Sequence, residues 1–216
     1  MLYVYAFVGV PVNAPDVAGI EGAPVRTEPV DGFAAVVSEH AAAVEPSEEA
    51  VFAHARVVEA VAAANDAVLP ARFGGLHRDE ETLRQAVAAR AELADALERV
   101  RGCVELGVRI FGDPAPRGPA ASGAAYMRGR LEQRRALEGL AHELHQPLAD
   151  LCRDSTVVVG ATPRLLLTAA YLVERGQVDA FRAALEVLET RHRDLGVFCT
   201  GPWPPYSFAI AEGAGP

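Results

Sequence analysis

The sequence contains no lysine, and its 20 arginines are outnumbered by 29 acidic residues, which gives a formal net charge of -9. Binding to nucleic acid depends on clustered positive charge that neutralises phosphates. An acidic chain of this kind is therefore expected to have no nucleic-acid partner. Half of the 216 residues are hydrophobic, which is enough for a sizeable core and excludes wholesale disorder.

Cysteine is scarce: there are three, Cys103, Cys152 and Cys199, and they are far apart in the chain. The number is odd and no CxxC pair occurs, so neither a disulfide framework nor a structural zinc site is indicated. All three lie in apolar stretches. We expect free thiols that act as small core hydrophobes in a reducing compartment.

Long apolar runs are also missing. The apolar start, Met1 to Val10, lacks a charged leading region and stops at Pro11. A membrane-spanning helix needs about 20 predominantly apolar residues. The sequence thus predicts a soluble, cytoplasmic protein with no membrane span.

Motifs for catalysis or cofactor binding are absent, since there is no GxSxG elbow, no GxGxxG and no phosphate-binding loop. His142 and His145 stand three apart in HELH, a spacing that places two imidazoles on one face of a helix. With no third ligand in view, we interpret them as surface histidines. No catalytic, cofactor-binding or metal-binding residue is assigned, and the protein is expected to hold no catalytic metal and to need no cofactor.

The N-terminal half alternates short strands and helices. Leu2–Val8 is a strand by composition, and Asp31-Gly32 between two apolar runs is a strong hairpin signal. Ser47 is expected to cap a helix from Glu48 to about Asn65. The residues predicted to line the buried face of that helix are Val51, Ala55, Val58 and Ala62.

A Pro-containing segment and a further helix complete this half. Val68–Phe73 contains Pro70, which has no N–H for a sheet ladder, so it is expected to be an edge strand or a loop. Asp79 then begins a helix predicted to run to about Arg101 and to end at Gly102. Gly102 is taken as the boundary between the two halves.

The C-terminal half has a clearer order of elements. We expect a strand at Cys103–Phe111, a Pro/Gly-rich loop over residues 112–122 and a long helix to about Cys152 that Pro147 should kink or interrupt. Further strands are predicted at Thr156–Gly160, Leu165–Val173 and Gly196–Thr200, with a helix from about Gln177 to Arg193 before the last. This β-α-β-β-α-β order is ferredoxin-like. The fold expected is α+β, with two packed lobes at 1–102 and 103–216.

Isolated charges stand out in apolar segments: Glu105 and Arg109 on one face of a strand, and Arg72 beside Pro70. They are interpreted either as a partner-binding or catalytic pair, or as an ion pair that docks the two lobes. We favour the second, because buried charges are usually paired. Arg72 and Glu105 are accordingly expected to lie close together.

The end of the chain, Thr200–Phe208, reads TGPWPPYSF. Its three prolines restrict the backbone, and Trp203, Tyr206 and Phe208 supply large apolar groups at small entropic cost. Two functions remain open for it: a clasp packed on the protein, or an exposed anchor for a partner. We favour the clasp, with Trp203 buried, because exposed apolar groups of this size tend to be covered.

This segment resembles the C-terminal signature of the GvpF/GvpL family of gas vesicle proteins. Val68–Gly74 (VLPARFG) resembles a second family segment, and Tyr3–Val8, Val104–Ile110 and Ala170–Phe181 agree in order and position. Departures at Ala71, Gly75 and Leu106 leave the choice between GvpF and GvpL open. The motif residues expected to serve structure or interaction are Pro70, Arg72, Phe73, Gly74, Glu105, Gly107, Gly201, Pro202, Trp203, Pro204, Pro205, Tyr206 and Phe208.

The resemblance implies a non-enzymatic accessory protein of gas vesicle assembly, found in the cytoplasm and associated with gas vesicles. Its implied partners are the small, strongly apolar shell protein and other gas vesicle accessory proteins. The competing hypothesis is a small-molecule-binding or enzymatic ferredoxin-like protein, because a fold does not by itself determine function. A deep polar pocket with convergent titratable groups would favour that hypothesis.

Overall fold

The protein, seen in a computed structural model, is described for residues 1–112, 122–160, 162 and 164–209. Most of the predicted loop at 112–122, and Ala161 and Pro163 of the predicted strand connection, lie outside these residues. The chain forms two compact units, Glu105–Pro202 and Met1–Val104 together with the residues from Trp203 onward. The sequence predicts one lobe over 103–216, whereas the segment from Trp203 belongs to the first unit.

The first unit is built on an antiparallel sheet with a central strand that is buried along nearly its whole length. Strand β1 (Leu2–Gly9) pairs with β3 on one side and with both β4 and β5 on the other, and β2 pairs with β3. The other four strands are β2 (Val25–Val30), β3 (Phe33–Glu39), β4 (Val68–Pro70) and β5 (Leu76–His77). The aromatic and β-branched composition of β1 explains its central place.

Two local predictions for this sheet are confirmed. Val30 pairs with Phe33 across the turn, where Asp31 has φ 37° and Gly32 has φ 86°, the left-handed region that a two-residue hairpin of this kind requires. β4 lies at the edge of the sheet, as expected for a strand that contains Pro70.

Helix α1 (Glu48–Ala64) begins as predicted, with Ser47 Oγ accepting the Ala50 N–H at 3.1 Å. Its predicted buried face is partly wrong. Val58 and Ala62 are buried, but Val51 is 46% exposed and Ala55 is half-buried. Alanine and valine occupy so much of this helix that two neighbouring stripes are apolar. The sheet covers the stripe that contains His54, Val57 and Val61.

The single helix predicted from Asp79 to Arg101 is wrong, because two helices occupy this stretch: α2 (Glu80–Ala88) and α3 (Leu93–Val100). Asp79 caps the first, accepting the Thr82 N–H at 2.8 Å. The buried positions explain the break. Val87 and Leu93 are six residues apart, and at about 100° per residue they would point to different sides of one straight helix. A turn between the helices lets both face the core.

The second unit contains a four-stranded sheet in the order β7-β8-β6-β9, with β7 and β9 at its edges. The elements follow the predicted order β-α-β-β-α-β, while the ferredoxin-like assignment stays a prediction. They are β6 (Cys103–Phe111), α4 (Gly123–Ala149), β7 (Asp154–Val159), β8 (Leu165–Glu174), α5 (Val178–Arg191) and β9 (Gly196–Trp203). β6 and β9 continue by their ends into the first unit.

Helices α4 and α5 both pack on one face of this sheet. Leu144 and Leu148 of α4 and Phe181 of α5 join strand residues of alternating positions, such as Leu106 and Tyr171, in one core. The alternate strand residues face the other way, and Phe111, Val158 and Phe198 among them are exposed. The sheet therefore presents apolar side chains on the face opposite the helices.

Two predictions for the second unit need correction. Helix α4 is not interrupted at Pro147, which lies in its last turn, and the helix ends at Ala149. The cysteines are not all core residues: Cys103 is buried, Cys152 is half-buried and Cys199 is exposed on the edge strand β9. Side chains on an edge strand have no neighbouring strand on one flank. The apolar sequence around Cys199 does not show that this residue lies on such a strand.

Two further observations concern the described residues as a group. None of their helices combines the length and the apolar character needed to span a membrane. No three or more histidine, cysteine, aspartate or glutamate side chains in these ranges are grouped so that they could hold a metal ion.

Candidate functional site

The two family-like segments of the sequence, Val68–Gly74 and the C-terminal proline-aromatic segment, come together in the first unit. β4 is held in the sheet by pairing of Val68, Leu69 and Pro70 with β1. The short 3-10 helix Tyr206–Phe208 packs against β4. Two segments that are far apart in the chain thus pack against each other.

Residues after β4 are fastened to the core by a buried histidine. His54 on α1 is 4% exposed, with Nε2 3.1 Å from the Ala71 carbonyl oxygen and Nδ1 2.9 Å from Tyr3 Oη. A carbonyl oxygen only accepts, so Nε2 carries the proton and donates it to Ala71. Nδ1 then accepts from the Tyr3 hydroxyl, which itself accepts the Gly74 N–H at 3.1 Å. We call His54, Tyr3, Ala71 and Gly74 the histidine latch.

Burial shapes the chemistry of this latch. The pKa of His54 is lowered from its usual value, chiefly because burial disfavours the charged imidazolium, although the hydrogen bond to Ala71 acts in the opposite direction. The ring of Phe73 stands edge-on to both Tyr3 and His54, with centroids 5.9 Å away in each case. Gly74 has φ 95°, a conformation that favours glycine at this position of the motif.

A second hydrogen-bonded chain lies beside the latch. Tyr5 Oη is 2.8 Å from Ser38 Oγ and accepts the Ile20 N–H at 2.9 Å, and Ser38 Oγ is 2.8 Å from His40 Nε2. No buried side-chain nitrogen or oxygen in the described part of the chain lacks a hydrogen-bond partner. Polar groups in this core are therefore satisfied, and they fix the geometry of the strands and loops around them.

The C-terminal segment divides into buried and exposed residues. Pro204 and Pro205 are buried, and Phe208 is 4% exposed, with its carbonyl oxygen accepting a hydrogen bond from Arg99 at 3.2 Å. Trp203 and Tyr206, in contrast, are 47% and 41% exposed. The expectation that Trp203 is buried as the centre of a clasp is wrong. The strand before it also extends to Trp203 and not only to Thr200.

Tyr206 lies near the outer face of α1, where Glu59 is close enough to act on its phenol. Burial of its hydroxyl and the nearby Glu59 raise the pKa of Tyr206 to about 12, so the phenol stays neutral while part of its ring faces solvent. Phe52, Arg56 and Glu59 lie on one side of α1 at helical spacing, and Phe52 is 61% exposed. We call Phe52, Trp203 and Tyr206 the aromatic surface.

Sequence reasoning missed Phe52, because it adjoins the apolar stripe of α1 and its composition does not distinguish it from that stripe. Only the phase of the helix reveals its exposure: Ala53 and His54 are buried, and Phe52 is turned away from them. An aromatic residue one position outside a buried stripe is the signal that could have identified it.

The isolated charges predicted to dock the lobes are largely accessible to solvent. Arg72 is exposed on the first unit, Glu105 is half-buried on β6 and Arg109 is exposed. The large cost of breaking a buried ion pair therefore does not apply to Arg72, and exposed ion pairs are typically worth about 0–1 kcal/mol. The pairing of Arg72 with Glu105 stays a prediction.

Gly107, a further motif residue, lies on β6 within the second unit. A Cβ at this position would stand 2.8 Å from Thr200 Oγ1 of the neighbouring strand β9, closer than real Cβ contacts allow. A larger residue at this position would therefore force the Thr200 side chain to move, which favours glycine where these strands approach closely.

The two histidines of α4 differ in their surroundings. His142 is exposed, as expected, but His145 is half-buried with Nδ1 2.9 Å from Tyr171 Oη. Burial, with a smaller contribution from His142, lowers the pKa of His145. The interpretation of both as surface histidines is thus wrong for His145, which belongs to the border of the core.

Comparison with known sequences identifies relatives along nearly the whole chain. The family described as "Gas vesicle synthesis protein GvpL/GvpF" matches residues 1–210. Gas vesicle protein F2 of Halobacterium salinarum is 34% identical over 215 residues, covering 96% of this chain and 91% of that protein. Gas vesicle protein L of a Streptomyces species is 32% identical over 191 residues, covering 76% and 70%.

Solved structures show the same fold. The crystal structure of the gas vesicle protein GvpF from an Anabaena species has a TM-score of 0.78 and 22% identity, covering 97% of this chain and 95% of that one. GvpF from Microcystis aeruginosa gives the same TM-score and identity, with 97% and 98% covered. The α+β architecture read from the sequence agrees with these structures.

Proposed function

This chain belongs to the gas vesicle synthesis protein GvpL/GvpF family, and we propose from that membership that it is a non-enzymatic, cytoplasmic accessory protein that binds the hydrophobic shell subunit during gas vesicle assembly. Membership supports a role in gas vesicle formation. The proposal adds the binding partner and the contacting surface. Other gas vesicle accessory proteins are further proposed partners.

The observation that carries the proposal is the aromatic surface, Phe52, Trp203 and Tyr206. Tryptophan and tyrosine are enriched among residues that dominate binding energies. Pro204 and Pro205 restrict the backbone between the two exposed rings and are themselves buried. Little conformational entropy is therefore lost when a partner covers Trp203 and Tyr206.

The chemistry of the partner follows from the family resemblance, which implies a small, strongly apolar shell subunit that polymerises. Such a subunit exposes apolar surface before assembly and would aggregate unless covered. Residues 105–202 contain 12 arginines and 12 acidic residues, so the formal charge of -9 comes from the rest of the chain. An acidic unit that presents aromatic side chains can cover apolar surface and keep the complex soluble.

Trp203→Ala is expected to weaken binding to the purified shell subunit by about tenfold or more, the loss associated with a residue worth at least about 1.4 kcal/mol at an interface. Because the Trp203 side chain is half exposed, the unfolding midpoint of the variant should differ little from that of the wild type. Pull-down or titration with the purified shell subunit measures the first effect, and a thermal melt measures the second. Tyr126→Ala is the matched control, since Tyr126 is 46% exposed on α4 of the second unit and is not part of the aromatic surface.

The possible results separate the hypotheses. Loss of binding for Trp203→Ala and Tyr206→Ala, with Tyr126→Ala unchanged, supports the aromatic surface as the docking site. Equal binding by all three variants would exclude it. A Trp203→Ala variant that loses stability and binding together would restore the clasp interpretation.

A further inference from the structure

Strand β7 is an edge of the second unit's sheet that lacks the usual protection against pairing. Its sequence, DSTVVV, is rich in β-branched residues and contains neither proline nor a basic residue. Among the described residues it pairs only with β8. Edge strands are normally blunted by lysine, proline or a covering element, because their free backbone groups can pair with another chain.

The register shows which backbone groups face outward. The Gly160 N–H donates to the Leu166 carbonyl oxygen at 2.9 Å, and the ladder continues from Val159 opposite Leu167. In an antiparallel ladder, hydrogen-bonded and non-hydrogen-bonded pairs alternate. Thr156 and Val158 therefore direct their backbone groups to β8, while Val157 and Val159 direct theirs away from the sheet.

One end of the edge is already closed by a side chain. The Ser155 N–H, which also faces outward, donates to Asp154 Oδ1 at 2.8 Å. The open part of the edge is thus Val157–Val159. At this part the side chain of Val158, 57% exposed, stands on the sheet face opposite the helices.

We propose that two copies of this chain pair antiparallel through the open edge Val157–Val159 and join their four-stranded sheets into one of eight strands. A two-fold axis at Val158 lets Val157 of each copy exchange both backbone hydrogen bonds with Val159 of the other. The two Val158 side chains then face each other across the axis as a cross-strand pair. The Asp154–Ser155 hydrogen bonds remain intact at the outer ends.

The distribution of charged residues supports a second copy of this chain as the partner that pairs with the open edge. Asp154 is the only charged residue of β7, and antiparallel pairing keeps the two Asp154 carboxylates at opposite ends, whereas parallel pairing would place them side by side. Residues 105–202 have equal numbers of arginine and acidic residues, so the units that carry the two edges bring no net charge of their own to the pairing. Closed two-fold symmetry is also the commonest arrangement of identical chains. The inference is independent of the proposed function.

Sedimentation equilibrium of the full chain over a range of concentrations tests the proposal. The wild type should show an average mass that rises from 22.8 kDa toward the dimer as concentration increases. Val157→Pro removes an outward N–H and no bond to β8, so it should fold and remain monomeric. Val159→Lys, which introduces the lysine that edge strands commonly use, should weaken dimerisation by about tenfold or more.

Val187→Lys is the matched control, because Val187 is 48% exposed on α5 and away from β7. It should dimerise as the wild type does. Amide hydrogen exchange should show protection of Val157 and Val159 that increases with protein concentration. A wild type that is monomeric at its solubility limit would overturn the proposal. So would dimerisation that Val159→Lys leaves unchanged, or edge amides protected only when the shell subunit is added.

Discussion

Phe208→Ala should lower the free energy of unfolding by about 3–5 kcal/mol, the usual cost of removing a buried aromatic side chain. Phe208 is 4% exposed, and its own carbonyl oxygen is fixed by Arg99, so the surrounding structure cannot easily close the cavity. Trp203, the only tryptophan, belongs to the same unit and serves as a fluorescent probe of its unfolding in urea.

Tyr206→Ala is the control for this effect, since Tyr206 lies in the same 3-10 helix and is 41% exposed. It should shift the unfolding midpoint far less than Phe208→Ala. If the two variants were equally destabilised, the division of the segment into buried and exposed residues would be wrong. A fully stable Phe208→Ala would show that β4 does not depend on the C-terminal segment for its packing.

The contrast between Phe208 and Trp203 shows where sequence reasoning reached its limit. Their proximity in a proline-rich aromatic segment predicted that the whole segment would behave as one clasp. The sequence identifies which residues are apolar and where the chain is stiff. Which ring meets the core depends on the direction in which β9 ends, and that direction is set by pairing between strands far apart in the sequence.

Elements were predictable where local signals agree with one another. The Asp31-Gly32 hairpin, the Ser47 cap and strand Cys103–Phe111 each combine turn or cap chemistry with an apolar run of the right period. The prediction of a single helix from Asp79 onward is wrong because good helix formers occupy the break between α2 and α3. Only the phase of the buried positions, which depends on the core, separates these two helices.

The histidine latch was not predicted, because no motif marks it. Tyr3 and His54 are 51 positions apart, and the acceptor and donor on the Val68–Gly74 motif are backbone groups of Ala71 and Gly74. A side chain that bonds to backbone leaves little trace in composition. The latch nevertheless gives a physical reason for the motif, since Gly74 supplies both a left-handed conformation and an N–H for Tyr3.

Stability of the protein should fall as pH is lowered through the titration range of His54. An unfolded histidine titrates near pH 6.5, and burial lowers the pKa of His54 in the folded state. Between these two pKa values the unfolded state binds more protons, so the free energy of unfolding rises with pH there. Below the folded-state pKa the contribution is lost and the dependence from this group ends.

His54→Gln tests the assignment, because glutamine retains an N–H donor for Ala71 but has no charge to gain. Urea denaturation at a series of pH values from about 5 to 7.5 should show a shallower pH dependence for the variant than for the wild type. One proton accounts for at most about 1.4 kcal/mol per pH unit.

The groups that face His54 determine how the result is interpreted. Tyr3 and Tyr5 lie against its ring from β1, and His40 follows β3 with Nδ1 3.7 Å from the Glu21 carboxylate. His40 is the other buried histidine of the first unit, so His40→Gln must be measured beside His54→Gln. A slope that His40→Gln flattens and His54→Gln does not would place the proton uptake at His40.

Protonation of His54 gives its Nδ1 a proton that the Tyr3 hydroxyl can accept only by turning its own proton away. Amide exchange at Gly74 should consequently accelerate at low pH, beyond its intrinsic pH dependence, in the wild type and not in His54→Gln.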